Sequence, residues 1–140
     1  NELLVVAPYW SKEGVSALRH RIDQRRRERL KVTILTAAEL SLSDRAGLKS
    51  FETVLINDLG AQVSIFEPRR LDDGRYPLMH AKAMVSDRKY AYVGSANFSQ
   101  NGLARSIETG VSLSATPALQ LHEWFSSILP HFIEVRNSSI

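Results

Sequence analysis

One stretch of this sequence indicates both its fold and its chemistry: LMHAKAMVSDRKYAYVGSANFS, residues 78–99. Its two apolar segments, Leu78–Val85 and Tyr90–Gly94, have the length and the branched or aromatic residues that are typical of β-strands. A short polar turn that begins at Asp87 separates them. The spacing therefore predicts a β-hairpin.

Four polar residues stand at intervals of two within this hairpin. Because side chains alternate between the two faces of a strand, His80 and Lys82 are expected to leave the same face. Ser95 and Asn97 follow Gly94, whose missing side chain lets backbone approach closely, and they share the same spacing. We therefore expect the four polar side chains to converge.

A carboxylate follows in the next apolar segment. Glu108 lies in a predicted strand over Ile107–Leu113, and its apolar neighbours occupy the opposite face. A carboxylate in so apolar a setting needs a partner. Glu108 is therefore the fifth candidate for a site on this sheet.

The rest of the chain predicts a mixed β-sheet sandwiched between helices, an α/β fold. The first half indicates alternating strands and helices, and the second half contains more strands. A last helix is predicted to begin with Thr116 as its N-cap and to carry Leu121, Trp124, Phe125 and Ile128 on its inner face. The earlier elements are a strand at Glu2–Pro8, a helix capped by Ser11, a strand at Lys31–Thr36, a helix ended by Gly60 and a strand at Val63–Phe66.

Length and composition set limits on the kind of protein. With 140 residues, 44% of them apolar, the chain is expected to form a single domain, residues 1–140. Because it begins at Asn1 within an apolar run, we expect a piece excised from a longer chain. The absence of cysteine excludes disulfides and thiolate catalysis. No apolar run has the length of a membrane span, and although the compartment is not determined, we favour the cytoplasm.

Positive charge is concentrated in two places. The net charge is +3, and seven of the 18 basic residues lie between Arg19 and Lys31. Such a stretch suits an anionic partner such as nucleic acid, but it is equally typical of the solvated end of a helix. Arg69, Arg70 and Arg75 lead into the hairpin and are better placed to meet a substrate.

Each of these polar residues has a simpler explanation when it is taken alone. A single histidine in a strand is more often structural than catalytic. The pattern His-x-Lys-x4-Asp-x6-Gly-Ser-x-Asn is far more specific, because it fixes six residue types at set intervals. It resembles the HKD motif of the phospholipase D-like superfamily in type and spacing, with members His80, Lys82, Asp87, Gly94, Ser95 and Asn97.

Glu108 extends the resemblance toward the bacterial endonuclease-like branch of that superfamily. It lies eleven residues past Asn97. In this it resembles the members of that branch, which have a glutamate at the corresponding place that orients the catalytic histidine. The order of strands and helices over nearly the whole chain is also similar to one complete family repeat. The resemblance implies an α/β/α fold and a phosphodiesterase that needs no metal and no other cofactor.

The resemblance also implies a role for each residue. One histidine attacks phosphorus to give a phosphohistidine, and a second histidine protonates the leaving group and then activates water. Lys82 supplies positive charge, and Ser95 and Asn97 supply polar contacts to the phosphate. Glu108 holds the ring nitrogen of His80 that does not react. Asp87, at the turn, is expected to be structural.

The sequence contains one such motif, whereas the mechanism requires two histidines. His20, His122 and His131 are not followed by lysine at the required position. The resemblance offers two solutions, and both stay open. A homodimer mate supplies the second motif across a two-fold axis, or another part of the full-length chain supplies it.

The substrate is also left open. Nucleic acid, either DNA or RNA, is favoured by the basic segments. A phospholipid is the alternative, because lipid-processing members of the superfamily share the same catalytic residues. The third possibility is a module that only binds or dimerises, and the intact catalytic positions argue against it.

Overall fold

Seven β-strands and three α-helices make up the described part of the chain, residues 1–19, 29–99, 102 and 105–135, in a computed structural model. In chain order they are β1 (Glu2–Val6), α1 (Lys12–Arg19), β2 (Lys31–Leu35), α2 (Leu42–Leu59), β3 (Gln62–Pro68), β4 (Ala83–Ser86), β5 (Tyr90–Gly94), β6 (Gly110–Ser114), α3 (Thr116–Ile128) and β7 (Phe132–Glu134). A 3-10 turn at Leu129–His131 joins the last two.

All seven strands form one mixed sheet in the order β6-β5-β4-β1-β2-β3-β7. The neighbours β1, β2 and β3 are parallel, and the other strands pair antiparallel. The register places Val6 opposite Ala83, and Gly94 opposite Gly110. Four strand ends therefore lie side by side: the end of β1, the start of β4, the end of β5 and the start of β6. We call this side of the sheet, which runs across the strand ends, the upper edge.

Helices cover both faces of this sheet, because strand side chains alternate between the two faces. Val5 and Ile34 point to the face that packs against α1 and α2. Leu4 and Val6 point to the other face and pack against α3 through Ala118 and Phe125. The predicted α/β fold, a mixed sheet between helices, is confirmed.

Local signals explain where two helices begin and end. Ser11 caps α1, since its hydroxyl accepts a hydrogen bond from the Gly14 backbone N–H at 3.0 Å. Gly60 ends α2 in the left-handed conformation, with φ of 67°. The prediction for α3 was wrong by one residue. Its cap is Ala115, and Thr116 is already helical.

Two strands, β4 and β6, begin later in the chain than predicted. The segment predicted as Leu78–Val85 forms only β4 from Ala83, and that predicted as Ile107–Leu113 forms β6 from Gly110. The physical reason is pairing, since β1 ends opposite Ala83 and β5 ends opposite Gly110. His80, Lys82 and Glu108 consequently lie in the connections just outside the sheet.

The third strand and the last helix also differ from their predictions. β3 is longer than predicted and pairs with β7. β7 has three residues, which is too few for an alternation of apolar and polar residues to be recognised in the sequence. Trp124, predicted on the inner face of α3, is 54% exposed. None of the described helices combines the length and apolarity that crossing a bilayer requires.

Candidate active site

His80 and Lys82 meet above the upper edge of the sheet. The Lys82 ammonium lies 3.1 Å from Nδ1 and 3.3 Å from Nε2 of the His80 ring. It also donates a hydrogen bond of 2.9 Å to the His80 carbonyl oxygen. Lys82 is only 8% exposed, whereas His80 is open to solvent. A buried cation therefore lies directly beside an accessible imidazole.

The environment of Lys82 works against its charge. Burial lowers the pKa of the lysine, because an ammonium group loses hydration there. The carboxylate of Glu108 opposes this effect and raises the pKa of Lys82. An anion that binds beside Lys82 would act in the same direction as Glu108, so this position favours a negatively charged ligand.

Ser95 connects the end of β5 to the residues just before β6. Its hydroxyl donates a hydrogen bond to the Glu108 carboxylate and accepts one of 3.1 Å from the Thr109 backbone N–H. The Ser95 backbone N–H also donates to the Thr109 carbonyl oxygen at 2.9 Å. These bonds hold Glu108 beside the end of β5, where its charge reaches Lys82.

Glu108 does not make the contact that the resemblance implies. Among the hydrogen bonds of the described residues, its carboxylate meets the hydroxyl of Ser95 and none joins it to the ring of His80. Its influence reaches Lys82 through charge instead. The structure thus forms two pairs of contacting residues, His80 with Lys82 and Ser95 with Glu108, and the charge of Glu108 links the second pair to the first.

Asn97 lies two residues beyond Ser95 and is partly buried. Its Oδ1 atom is buried and has no hydrogen-bond partner among the described residues. Buried polar atoms are normally paired, so this side chain has unused capacity for a hydrogen bond. The backbone of Gly102 lies so close to Asn97 that a Cβ atom there would be 2.5 Å from the Asn97 carbonyl oxygen.

Tyr9 belongs to this region, although the sequence reasoning missed it. Its ring meets the His80 ring edge-on, with 6.4 Å between centroids and an angle of 72°. The next residue, Trp10, is fixed by bonds to Asp44 at 2.8 Å and to Thr36 at 2.9 Å. The available signal was position, since Tyr9 follows a parallel strand at its carboxyl end, where sites of open α/β sheets form.

The two remaining motif residues take no part in these side-chain contacts, although the Gly94 backbone N–H donates a hydrogen bond of 3.2 Å to the Lys82 carbonyl oxygen. Asp87 is at the opposite edge of the sheet, where it accepts a hydrogen bond of 2.8 Å from the Glu2 backbone N–H. Gly94 makes room for a neighbour, because a Cβ atom there would lie 2.3 Å from the Tyr92 hydroxyl oxygen. The Tyr92 ring crowds Gly110 in the same way.

The three arginines predicted to bind substrate lie on the exposed segment between β3 and His80. Arg75 pairs with Asp73 at 2.6 Å, and Arg70 packs on the ring of Tyr76 at 4.8 Å. Arg69 donates to the Phe132 carbonyl oxygen at 3.2 Å, and no described carboxylate pairs with it. None of these contacts joins an arginine to His80.

The other basic stretch is only partly described. Residues 20–28 of the segment Arg19–Lys31 lie outside the described residues, and so does His20. Arg19 itself pairs with Asp58 at 2.9 Å. Within the described ranges, no group of three or more histidine or carboxylate side chains is arranged to hold a metal ion.

Comparison with known proteins gave one family and several similar structures. A family model described as "Cardiolipin synthase, PLD-like domain" matches residues 1–129. No curated protein matched the chain significantly. NucT from Helicobacter pylori is similar with a TM-score of 0.63 at 15% identity, over 96% of this chain and 82% of that one.

Two further structures share the fold at the same low identity. Nuc from Salmonella typhimurium, described as a phospholipase D family member, gives a TM-score of 0.65 at 15% identity, over 98% of this chain and 83% of that one. Phosphatidylserine synthase from Haemophilus influenzae gives 0.56 at 15% identity, over 96% of this chain and 34% of that one. The likeness to these structures shows a common fold.

Proposed function

The chain belongs to the phospholipase D-like domain family, as its motif predicted, and from that premise we propose that it is a metal-independent nuclease. Family membership makes it a phosphodiesterase-type domain. The finer proposal is that it hydrolyses phosphodiester bonds of nucleic acid through a phosphohistidine intermediate. His80, Lys82, Ser95, Asn97 and Glu108 are its proposed catalytic residues.

The observation that carries this proposal is the buried Lys82 ammonium 3.1 Å from Nδ1 of an accessible His80. A phosphodiester is anionic and resists attack, so the enzyme must combine a nucleophile with fixed positive charge. In a poorly hydrated position the lysine interacts with phosphate oxygens more strongly than in water. Nucleophile and charge are already adjacent here, which lowers the cost of bringing them together.

The proposed first step forms a covalent intermediate on His80. A ring nitrogen donates its electron pair to phosphorus, a nitrogen–phosphorus bond forms, and the bond from phosphorus to the leaving oxygen breaks. A second histidine gives its proton to that oxygen. Lys82 and Asn97 contact the non-bridging oxygens. Ser95 holds the Glu108 carboxylate by a hydrogen bond, and that carboxylate stabilises the positive charge of Lys82.

The proposed second step releases the product. The second histidine, now neutral, removes a proton from water, and the water oxygen attacks phosphorus while the bond to His80 breaks. The phosphate monoester leaves and both histidines return to their starting states. A homodimer mate or another part of the full-length chain supplies this second histidine.

Two observations support nucleic acid as the substrate. Arg69, Arg70 and Arg75 are exposed on the segment that leads to His80, and phosphate backbones are bound chiefly by such side chains. Two of the similar structures are named Nuc and NucT. A phospholipid is the second candidate, because another similar structure is a phosphatidylserine synthase.

The test is cleavage of labelled DNA and RNA by the purified protein in excess chelator, with its oligomeric state measured in the same preparation. We expect cleavage by wild type and none by His80→Ala. The matched control is His122→Ala, which removes a histidine that faces Glu2 away from the site. Dependence on added metal, or equal cleavage by His80→Ala, would contradict the proposal. Activity confined to phospholipid would favour the second candidate.

A further inference from the structure

A pocket of about 350 Å³ opens beside His80, on the face of the sheet that α3 covers. Val6 and Leu35 of the sheet line it, and both are almost fully buried. Leu78 and Trp124 line it as well, but they are 85% and 54% exposed. The pocket therefore reaches from the core to the surface and includes the proposed nucleophile in its wall.

The lining of this pocket is mostly apolar. It contains no aspartate, glutamate, lysine or arginine, and its ionisable side chains are His80 and His131. A phosphate group would lose hydration there without gaining a counter-charge. The phosphate must stay on the Lys82 side of His80, and the pocket suits an uncharged group attached to that phosphate.

Trp124 gives the pocket an aromatic wall. Its ring packs edge-on against Phe125, with centroids 4.8 Å apart and an angle of 72°. Phe125 is buried in the core, so Trp124 is supported from below while half of its surface remains open. Exposed, supported aromatic rings of this kind stack on nucleobases.

We propose that this pocket binds one unpaired nucleobase, carried by the nucleotide next to the scissile phosphate. A base inside a duplex is stacked and paired, so the substrate is single-stranded nucleic acid or a strand with that base turned out. The proposal rests on the proposed nuclease function and names the substrate class of the same site.

The surroundings favour a base over a lipid chain. Pro68 and Pro77 line the pocket, and the segment between them carries Arg69, Arg70 and Arg75. A nucleic-acid strand has an uncharged ring and a phosphate in every nucleotide, which fits an apolar pocket flanked by several arginines. A phospholipid has one head group and two long acyl chains, and these exceed a volume of about 350 Å³.

The first experiment compares substrates and variants by kcat/KM. Wild type and Trp124→Ala are assayed on a single-stranded oligonucleotide with one preferred cleavage position and on the same strand with an abasic nucleotide beside that position. We expect Trp124→Ala and the abasic nucleotide each to reduce kcat/KM about tenfold, and the two together to reduce it no further. Trp124→Phe should recover most of the loss, because it keeps an aromatic face.

The matched control is Leu119→Ala, on the same helix and outside the pocket lining, which should cleave like wild type. Independent, multiplied losses from Trp124→Ala and the abasic nucleotide would overturn the proposal. So would faster cleavage of duplex than of single strand by wild type.

The second experiment reads binding without cleavage. Trp10 is 1% exposed, so quenching of tryptophan fluorescence reports on Trp124, and Trp124→Phe gives the Trp10 background. We expect quenching by a phosphorothioate-linked single strand, which resists cleavage, and little by the matching duplex.

If the protein cleaves no nucleic acid yet shows this quenching, the nuclease function fails and the base pocket stands. Quenching by phosphatidylglycerol vesicles, and not by the single strand, would overturn the base pocket.

Discussion

The ammonium group of Lys82 lies 2.9 Å from the carbonyl oxygen of His80, the residue whose ring it also approaches at 3.1 Å. The lysine thus folds back onto the chain two residues earlier and binds both the backbone and the ring of the same histidine. Because β4 begins at the next residue, Ala83, this arrangement is anchored to the sheet. The position of the cation and the orientation of the proposed nucleophile are therefore coupled.

We predict that Lys82→Met stabilises the fold while it strongly reduces activity. Burial lowers the pKa of Lys82, so the unfolded chain binds that proton more tightly than the folded one. The charged lysine therefore destabilises the fold at neutral pH, and we expect the variant to unfold at a higher urea concentration than wild type. Cleavage should fall at least about a hundredfold, since the charge on the phosphate is lost.

Urea unfolding at pH 7 and pH 10 checks the cause of that gain. The penalty on the charged form lessens as pH rises toward the ordinary lysine value of 10.5, so the difference between wild type and Lys82→Met should narrow. A variant less stable than wild type at pH 7 would show that Lys82 contributes more through its hydrogen bonds than it costs through burial.

Glu108→Gln should shift the alkaline limb of the pH profile of kcat/KM to lower pH. The Glu108 carboxylate raises the pKa of Lys82 against the effect of burial, so its neutralisation lowers that pKa. Lys82 then loses its proton at lower pH, and kcat/KM falls earlier as the medium becomes alkaline. Ser95→Ala is the control, because it removes the hydrogen bond to Glu108 but keeps the carboxylate charge. An unchanged limb in Glu108→Gln would rule out this coupling.

One contact of the candidate site, that between His80 and Lys82, could be anticipated from residue spacing alone. The two-residue interval from His80 to Lys82 implied that they share a face, and the two side chains are in contact. This contact forms in the connection before β4, so the predicted strand was not its cause. Ser95 and Glu108 come together because β5 and β6 pair, and that register depends on long-range contacts.

Other features depended on packing that a single sequence does not display. Trp124 has the spacing of a residue on the inner face of α3, but it is not covered by the rest of the fold. It lines a pocket together with His131 and Phe132, which lie just after α3. Tyr9 carries no motif, and its position beside His80 follows from the hydrogen bonds that hold Trp10. The hydrogen bond between Ser95 and Glu108 likewise depends on which strands are neighbours in the sheet.

Asp87→Ala should reduce stability and leave the chemistry of the site in place. The Asp87 carboxylate accepts a hydrogen bond from the Glu2 backbone N–H at the sheet edge opposite His80. Without this hydrogen bond the backbone of Glu2 is held less firmly, and the unfolding free energy should fall by about 1 kcal/mol. Urea unfolding measures the cost, and kcat/KM of the folded variant should stay within about twofold of wild type. A large fall in kcat with unchanged stability would give Asp87 a direct part in catalysis.

Gly47→Ala should destabilise the protein and disturb the site from a distance. Gly47 lies in α2, and a Cβ atom there would be 2.6 Å from the backbone nitrogen of Ser11 and 2.8 Å from the carbonyl carbon of Trp10. Backbone atoms cannot move aside as a side-chain tip can, so the overpacking cost of about 1–3 kcal/mol should exceed the helix propensity gained by alanine. The displaced segment also carries Tyr9, so we expect weaker cleavage. Gly74→Ala is the comparison for backbone strain without a clash, because nothing lies within 4 Å of its Cβ position while its φ of 81° disfavours any side chain, so it should lose some stability as well. Equal urea midpoints for Gly47→Ala and wild type would show that the segment of Ser11 and Trp10 yields without cost.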